Sequence, residues 1–280
     1  MRGPAFPARE NVTHPRTPRV VRIIRWTRTL GHVATATVLL RVVFPRATRG
    51  TRRRLTGWWS AKLLRILNIS VVVEGTPPPD HDESAFVAAN HISWADIPLI
   101  SSVRPTRFVA KSEIRDWPVA GWICERAGTI FIRRARRHDT ARINDLVHAA
   151  LVEGDCVGLF PEGTTTEGDR LLKFHSSLFE PAVANAAHVY PAAIRYEHPD
   201  GTLCRAAAYV GEISFVQSLG LVIRQRETVA RITFGERILP DGRTRREVAA
   251  HAFERVSSLL SLPGPDRAPR TASGRQGEPR

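Results

Sequence analysis

Cysteine is scarce in this sequence, and its spacing excludes two kinds of site. The three cysteines, Cys124, Cys156 and Cys204, lie far apart and form no C-x-x-C pair. This spacing argues against a zinc site and against a disulfide framework. It is typical of reduced core residues in a protein that faces the cytosol. No other metal-ligand spacing occurs, so we expect neither a metal nor a bound cofactor.

Long hydrophobic runs are also missing. The moderately apolar stretch 29–44 contains His32, Arg41 and several threonines. It is shorter and more polar than the roughly 20 apolar residues that a membrane span requires, and its weak apolar core is unlike a signal peptide. A basic, partly apolar helix in the plane of the membrane interface fits this stretch better. The sequence leaves open whether such a helix spans the membrane or only lies on it.

Acidic residues are in the minority. The chain has 41 Lys and Arg against 27 Asp and Glu, a net charge of +14, and arginine supplies almost all of the positive charge. This balance predicts an anionic partner, such as nucleic acid, an anionic membrane surface or a phosphorylated substrate. No helix-turn-helix, zinc-finger or aromatic-basic strand pattern supports nucleic acid. We therefore expect a membrane surface with anionic lipid as the partner, and no nucleic acid.

A second basic and apolar helix is predicted after the arginine run 52–54. Its apolar residues recur at helical spacing, and they are Leu55, Trp58, Trp59, Leu63, Ile66 and Leu67. Two interpretations stay open. The helix packs on the domain, or its two tryptophans anchor the protein at an anionic leaflet and border a groove for acyl chains.

The chain is long enough and, at 42% apolar residues, apolar enough to bury a full core. Short apolar runs alternate with helical patterns, which predicts one α/β domain with a mixed, mostly parallel sheet flanked by helices. We expect a basic N-terminal segment (1–54), the folded domain (55–262) and a disordered tail (263–280) rich in Pro, Gly, Arg and Ser. Strands are predicted at 69–74, 85–89, 107–110, 128–134, 156–160, 189–194, 205–211 and 229–234, and helices at 93–103, 139–152, 174–187 and 244–261.

The heptapeptide Asn90-His-Ile-Ser-Trp-Ala-Asp96 carries the strongest chemical signal. It follows the predicted strand 85–89, at the strand-to-helix turn where α/β proteins usually place their chemistry. Ser93 is a good N-cap, and Asp96 completes a capping-box-like S-x-x-D. His91 then lies outside the helix and Asp96 in its first turn, so the carboxylate can orient the imidazole as a general base. In isolation the pattern is short, and Asp96 as a simple cap beside an ordinary loop histidine is the alternative.

Four stretches in order resemble the blocks of the glycerolipid acyltransferase family, whose best-known members acylate 1-acylglycerol-3-phosphate. The blocks are N-H-x-S-x-x-D, G-x-I-F-I-x-R, F-P-E-G-T and an apolar strand around a proline, which begin here at Asn90, Gly128, Phe160 and Val189. Lys111, followed by Pro118 and Gly121, also matches. The resemblance covers about residues 55–240.

The resemblance implies transfer of a fatty acyl group from acyl-CoA or acyl carrier protein to the free hydroxyl of a lysolipid. The expected acceptor is 1-acylglycerol-3-phosphate, which would give phosphatidic acid. The stretch 209–215 resembles a branch that acylates lyso-ornithine lipid, so that acceptor or another lysolipid is an alternative. A lipid-binding protein that has lost catalysis is the non-enzyme alternative. The enzyme is expected at the cytoplasmic face of the membrane, as a peripheral or monotopic protein.

In this interpretation His91 and Asp96 are catalytic, and transfer is direct because no G-x-S-x-G nucleophile elbow occurs. The oxyanion is expected to bind either backbone N–H groups near Ser93 or the Lys111 ammonium. Arg134, aided by Arg133, is expected to bind the anionic headgroup, although a solvated strand end is the simpler alternative for the two arginines. Arg133 departs from the family pattern, where an acidic residue often stands.

The third block is expected to support that headgroup site. Glu162 would hold Arg134 or bond a substrate hydroxyl, Gly163 would allow a tight turn, and Thr164 would offer donors. The full set assigned to substrate binding is Asn90, Ser93, Lys111, Gly128, Phe131, Arg133, Arg134, Glu162, Gly163 and Thr164.

Overall fold

The computed structural model describes residues 14–80, 85–117, 119–132 and 137–261, and within these ranges seven strands form one sheet. The strands are β1 (Ile69–Glu74), β2 (Ala85–Ala89), β3 (Thr106–Lys111), β4 (Ile130–Ile132), β5 (Cys156–Leu159), β6 (His188–Glu197) and β7 (Thr228–Phe234). The helices are α1 (Arg19–Val38), α2 (Arg49–Ile66), α3 (Asp96–Val103), α4 (Ala120–Arg126), α5 (Arg137–Val152), α6 (Glu180–Ala184), α7 (Phe215–Arg224) and α8 (Arg245–Leu259).

The sheet is mixed and mostly parallel, as predicted. Its strand order is β1-β7-β6-β2-β5-β3-β4. Strands β6 and β7 pair antiparallel, whereas the pairs β6–β2, β2–β5, β5–β3 and β3–β4 are parallel. The carboxyl ends of five neighbouring strands therefore meet at one edge of the sheet, where loops can bring side chains together.

Helices cover both faces of the sheet and divide the core into two layers. Strand β2 lies near the centre and alternates between them: Val87 packs with residues of α2, α3 and α7, and Phe86 packs with residues of α5, α6 and α8. All five residues of β2 are buried. Burial on both faces explains why β2 is a continuous apolar run rather than an alternating one.

Helices α1 and α2 pack together through His32 and Trp59. The Trp59 Nε1 group donates to the His32 carbonyl at 3.0 Å, the His32 Nε2 atom lies 2.8 Å from the Trp59 carbonyl, and the two rings stack. Burial lowers the pKa of His32, so the neutral ring donates to that carbonyl. Trp59 thus packs between the helices and is partly buried, whereas Trp58 is 44% exposed.

Helix α1 begins at Arg19, earlier than the apolar stretch predicted from residue 29. Helix α2 begins at Arg49, so the expected division between residues 54 and 55 falls inside this helix. The predicted tail lies outside the described residues. Across the described part of the chain, no helix is both long enough and apolar enough to cross a membrane.

Two predicted elements are wrong. Stretch 205–211 is not a strand: only Arg205–Ala207 is regular, as a 3-10 turn, and β6 has no open edge for it because β2 and β7 already flank it. Stretch 174–187 is not one helix. It forms a 3-10 turn (Ser176–Phe179) and then the short α6, because Pro181 has no N–H to bond into a preceding helical turn.

Helix α7 was not predicted, although its sequence carries the signals. Ser214 and Gln217 form a complete capping box at its start, and Leu219, Val222 and Ile223 follow at helical spacing and are buried. The apolar run 205–211 shortly before it resembles a strand, which makes the helical periodicity of this region hard to detect in the sequence.

Candidate active site

The site is built from loops at the carboxyl edge of the parallel strands. Strand β2 leads into His91, and the neighbouring strand β5 leads into Glu162. Strand β3 ends at Lys111, and β4 ends at Ile132, directly before Arg133 and Arg134. The topology therefore brings the first and third sequence blocks, the end of β4 in the second block, and the backbone of Lys111 to one edge of the sheet.

His91 and Asp96 are in direct contact, as the sequence predicted. The His91 Nδ1 atom lies 2.7 Å from Asp96 Oδ2. The imidazole side chain is 20% exposed, whereas the carboxylate is completely buried. Within the described residues, Nε2 makes no hydrogen bond, so the pair presents one ring nitrogen to an incoming substrate.

The Asp96 carboxylate is held by four donors. Its Oδ2 atom accepts from His91 Nδ1 and from the backbone N–H groups of Ile92, at 2.8 Å, and Ser93, at 2.9 Å. Its Oδ1 atom accepts from the Tyr196 hydroxyl at 2.8 Å. Burial, and then the charge of Asp96, raises the pKa of Tyr196 well above its usual value, so this hydroxyl keeps its proton and donates. Such a shell stabilises a buried charge.

Ser93 is not the N-cap of the following helix. Helix α3 begins at Asp96, its N-cap is Ala95, and Ser93 Oγ accepts from the Ala95 N–H at 3.2 Å. Only half of the predicted capping box forms. The Asp96 carboxylate accepts from the Ser93 N–H, but Ser93 Oγ accepts from the Ala95 N–H and not from the Asp96 N–H. The carboxylate also binds His91 and Ile92, so the chain wraps around it and the helix starts later. Ser93 itself is buried.

Glu162 joins two loops of the site through backbone N–H groups. Its Oε1 atom accepts from the His91 N–H and its Oε2 atom from the Leu172 N–H, both at 2.8 Å. The side chain is buried, and burial raises its pKa to about 7 despite these two donors. The expected contact with Arg134 falls on a residue outside the described ranges. Through these contacts Glu162 holds the backbone of His91 in place.

Phe160 supports the imidazole from one side. Its ring stacks on His91 with centroids 3.9 Å apart and an interplanar angle of 7°, and Phe108 stacks behind it at 5.7 Å. The Thr166 N–H donates to the His91 carbonyl at 2.9 Å. Together with Glu162, these contacts fix both the ring plane and the backbone of His91.

The turn after β5 behaves as its residue types suggest. Gly163 has φ of +71°, a left-handed conformation that favours glycine. Thr164 is exposed, Thr165 Oγ1 donates to the Tyr209 carbonyl, and Thr166 is buried against the His91 loop. Thr164 is therefore the one threonine of the three whose side chain faces solvent rather than the protein.

Asn90 and Gly128 have structural roles in this fold. The Asn90 side chain donates to the Ile194 carbonyl at 3.0 Å and accepts from its N–H at 2.7 Å, so it ties β2 to β6. Gly128 precedes β4 at the opposite edge of the sheet, where its carbonyl accepts from Arg107 at 3.0 Å. Its φ of +91° suits the turn into β4. The Asn90 side chain therefore bonds β6 although Asn90 directly precedes His91, and Gly128 lies at the other edge of the sheet from His91.

Of the remaining predicted residues, the structure describes Phe131 and the backbone of Lys111. The Arg115 guanidinium lies 4.9 Å from the centroid of the Phe131 ring. The backbone of Lys111 ends β3 at the edge that carries the site, but its side chain is outside the described part of the structure. Arg133, Arg134 and Pro118 also lie outside the described residues, so their assignments stay predictions.

Two groups at the site were missed in the sequence. Tyr196 is the first, and the available signal was a tyrosine on the buried face of an apolar strand, where its hydroxyl must find a partner. The second is an aromatic wall beside the His91 loop, formed by Trp94, Trp117, Tyr209 and Phe215 with ring centroids 5.1 to 6.1 Å apart. Its members are distant in sequence, so no local pattern could reveal it.

This arrangement is suited to proton abstraction. An ionised carboxylate has no hydrogen to donate, so His91 Nδ1 must be the donor in its bond to Asp96. In the neutral ring Nε2 then carries the lone pair. The site can therefore accept a proton from a substrate hydroxyl and hold the resulting imidazolium against Asp96.

Comparison with known proteins agrees with this chemistry. The family model described as Acyltransferase matches residues 70–195. Lyso-ornithine lipid O-acyltransferase of Pseudomonas aeruginosa is 37% identical over 261 residues, which cover 91% of this chain and 99% of that protein. The enzyme of the same name from Rhizobium meliloti is 35% identical over 81% of each chain. 1-acyl-sn-glycerol-3-phosphate acyltransferase of Neisseria meningitidis is 37% identical over 172 residues, 61% of this chain and 67% of that protein.

The fold also has a solved counterpart. The crystal structure of the 1-acyl-sn-glycerophosphate (LPA) acyltransferase PlsC from Thermotoga maritima matches with a TM-score of 0.62 and 23% identity, covering 86% of this chain and 96% of that chain. At that identity the match shows a shared fold. The similarity to the Pseudomonas enzyme extends over nearly its full length. The chain therefore belongs to the glycerolipid acyltransferase family, and it is an O-acyltransferase.

Proposed function

We propose that His91 is the general base that removes the proton from the free hydroxyl of a lysolipid acceptor. The observation that carries this proposal is the 2.7 Å contact between His91 Nδ1 and the buried Asp96 carboxylate. That contact fixes the tautomer whose Nε2 accepts a proton. The Tyr196 hydroxyl on the other carboxylate oxygen keeps Asp96 in place.

The transfer is direct. His91 Nε2 takes the hydroxyl proton as the acceptor oxygen forms a C–O bond with the thioester carbonyl carbon. The tetrahedral oxyanion then collapses, the C–S bond breaks, and the imidazolium returns its proton to the departing thiolate. Atoms and charges balance without an acyl-enzyme, and the buried, hydrogen-bonded Ser93 is not needed as a nucleophile.

Lys111 is the favoured donor to the oxyanion. The alternative was a set of backbone N–H groups near Ser93. Those of Ile92 and Ser93 are bonded to Asp96, and that of Ala95 is bonded to Ser93 Oγ, so among these described residues only the Trp94 N–H is left. A lysine ammonium at the end of β3, two strands from β2, can supply the charge where the oxyanion develops.

Arg134, with Arg133 beside it, is the proposed binding site for the acceptor headgroup. The two arginines directly follow β4, whose carboxyl end lies at the same edge of the sheet as His91. A guanidinium binds phosphate or carboxylate through two parallel hydrogen bonds. This site would accept either a phosphate headgroup or the carboxylate of an ornithine headgroup.

Two acceptors fit this proposal. The sequence blocks predict 1-acylglycerol-3-phosphate, and the Neisseria relative carries that name. Lyso-ornithine lipid is favoured by a separate observation: the relatives named for it align over 91% and 81% of this chain, against 61% for the Neisseria relative. That longer alignment includes the stretch 209–215, which joins the aromatic wall beside His91.

One assay tests the function. The purified protein is given both lysolipids in detergent, with labelled acyl-CoA or acyl carrier protein as donor, beside His91→Ala. We expect transfer to at least one acceptor by the wild type, and a loss of about a hundredfold to ten thousandfold in the variant. Equal turnover by the two proteins would remove His91 from the mechanism. The faster acceptor and donor identify the substrates.

The enzyme is also proposed to work at the cytoplasmic face of a membrane as a peripheral protein. Helix α1 presents Val20, Ile23, Ile24 and Leu30 to solvent, each between 47% and 68% exposed, and arginines interrupt this stripe. An apolar stripe beside basic side chains suits the surface of an anionic leaflet.

A further inference from the structure

A groove separate from the acyl-transfer site runs between α1 and α7. Its volume is about 640 Å³, within the range of about 300 to 1,000 Å³ that small-molecule sites occupy. Its apolar lining, here called the floor, is formed by Trp26 of α1 and Leu221 of α7, and the exposed side chains of Ile23 and Val216 line the groove beside it. No residue of the loops around His91 or Glu162 lines it.

Positive charge surrounds this apolar floor. Arg19 and Arg22 of α1 and Arg224 at the end of α7 line the groove. Among the described residues, no carboxylate lines it and none forms an ion pair with these three arginines. Arg25, on the same helix, is different, because its guanidinium donates to the carbonyls of residues 223, 225 and 226. One arginine thus fastens α1 to α7, and three are left for a ligand.

The groove opens beside the exposed stripe of α1. Ile23 belongs to both, since it lines the groove and is 63% exposed. Val20 lies about one helical turn before Ile23 and Ile24, at about 100° per residue, and Val20 and Ile24 are also exposed. Val216 of α7 is 63% exposed on the other wall. A bilayer that covers these side chains would lie at the mouth of the groove.

We propose that this groove binds one anionic lipid of the bilayer, with an acyl chain along the floor and the headgroup between Arg19, Arg22 and Arg224. An acidic carrier protein would also meet the arginines, but the apolar floor favours an alkyl chain. This site goes beyond the proposed function, because it binds a lipid that is not acylated there.

Helix α7 connects this groove to the catalytic loop. While Val216 and Leu221 face the groove, Ser218 accepts from the Trp94 Nε1 group at 3.1 Å, and Phe215 contacts the Trp94 ring. Trp94 lies between His91 and Asp96 in sequence. A lipid in the groove would therefore hold α7 against the loop that carries the base, while it docks α1 on the membrane.

The test uses the full chain and vesicles of phosphatidylcholine with or without phosphatidylglycerol, in a flotation assay. Gly220→Leu fills the groove without a change of charge, since a Cβ at Gly220 would lie 3.8 Å from the Trp26 ring, and leucine is a better helix former than glycine. Arg22→Gln removes one headgroup contact. The matched control is Arg246→Gln, an exposed arginine of α8 on the opposite face of the sheet.

We expect the wild type to prefer vesicles with phosphatidylglycerol, and Arg22→Gln to bind them about fivefold more weakly, as one arginine contributes about 1 kcal/mol near such a surface. Gly220→Leu should lose the same preference, and Arg246→Gln should keep it. A brominated phosphatidylglycerol should quench wild-type fluorescence more than that of Trp26→Phe. All variants should retain acyl transfer in detergent, which keeps this test separate from the function of His91.

Three results would overturn the proposal. The first is wild-type vesicle binding by both groove variants. The second is an equal loss in the α8 control, which would mean unspecific charge attraction. The third is normal vesicle binding with a selective loss of activity, either a raised KM for lysolipid in detergent or poor use of the acyl carrier protein donor. It would assign the groove to that substrate.

Discussion

The Tyr196 hydroxyl donates to Asp96 Oδ1 at 2.8 Å, and this bond links a strand of the sheet core to the pair formed by His91 and Asp96. The other oxygen of the same carboxylate binds His91 Nδ1 at 2.7 Å. Tyr196 touches no substrate in the proposed mechanism. It positions Asp96, which in turn positions the imidazole, so the orientation of the base depends on the packing of β6.

Tyr196→Phe should lower kcat by about tenfold to a hundredfold, because a hydrogen bond to a charged group contributes about 1.5 to 3 kcal/mol. KM for the lysolipid should stay nearly unchanged, because Tyr196 acts through the orientation of the imidazole and not through the substrate. Tyr190→Phe, on the same buried face of β6, is the matched control. Wild-type kcat in Tyr196→Phe, or an equal loss of kcat in Tyr190→Phe, would leave Tyr196 with a structural role alone.

Asp96→Asn tests the tautomer. The asparagine amide can donate to His91 Nδ1, which would place the ring proton on Nε2 and prevent it from accepting the substrate proton. We expect kcat to fall about a hundredfold to ten thousandfold. Binding of the lysolipid, measured by calorimetry, should change little. Activity within tenfold of the wild type would contradict the pairing as the source of the base.

Glu162→Gln should change how stability depends on pH. The pKa of this carboxyl rises from 4.5 to about 7 on folding because the group is buried. Between these values the folded state holds a proton that the unfolded state has released, so stability falls as pH rises through this window. From pH 5 to pH 8 this group removes roughly 2 to 3 kcal/mol in the wild type.

The side-chain amide introduced by Glu162→Gln does not titrate, so urea unfolding of this variant should lack the decline. Glu254→Gln, which replaces an exposed carboxylate of α8, is the control and should follow the wild type. Parallel pH curves for Glu162→Gln and the wild type would contradict the raised pKa of Glu162.

Asn90→Ala separates a structural role from substrate binding. Loss of the side-chain amide leaves both backbone groups of Ile194 without their partner. Each such buried group costs about 1 to 3 kcal/mol. We expect the free energy of unfolding to fall by about 2 to 4 kcal/mol, with KM for the lysolipid nearly unchanged. A raised KM at wild-type stability would instead support the predicted binding role.

The sequence predicted the limits of a strand correctly where a short apolar run lies between turn residues. The limits of β1 and β2 were predicted to the residue, because each is a short apolar run that ends at turn or loop residues. Strand β2 is buried along its whole length, whereas β1 is a mostly exposed edge strand. The helix at 174–187 and the strand at 205–211 failed for tertiary reasons. A proline divides the first. The second follows β6, and both sides of β6 are already paired, with β2 and β7.

The sequence by itself determined that His91 and Asp96 meet, because a histidine and an aspartate five residues apart at a strand-to-helix turn can pair within one local loop. It also determined the family, through four blocks in order. Only the tertiary structure decided what holds that pair in place. Tyr196, Phe160 and Glu162 reach His91 and Asp96 from other strands. Contacts across roughly 70 to 100 residues depend on strand order and register, which no local pattern encodes.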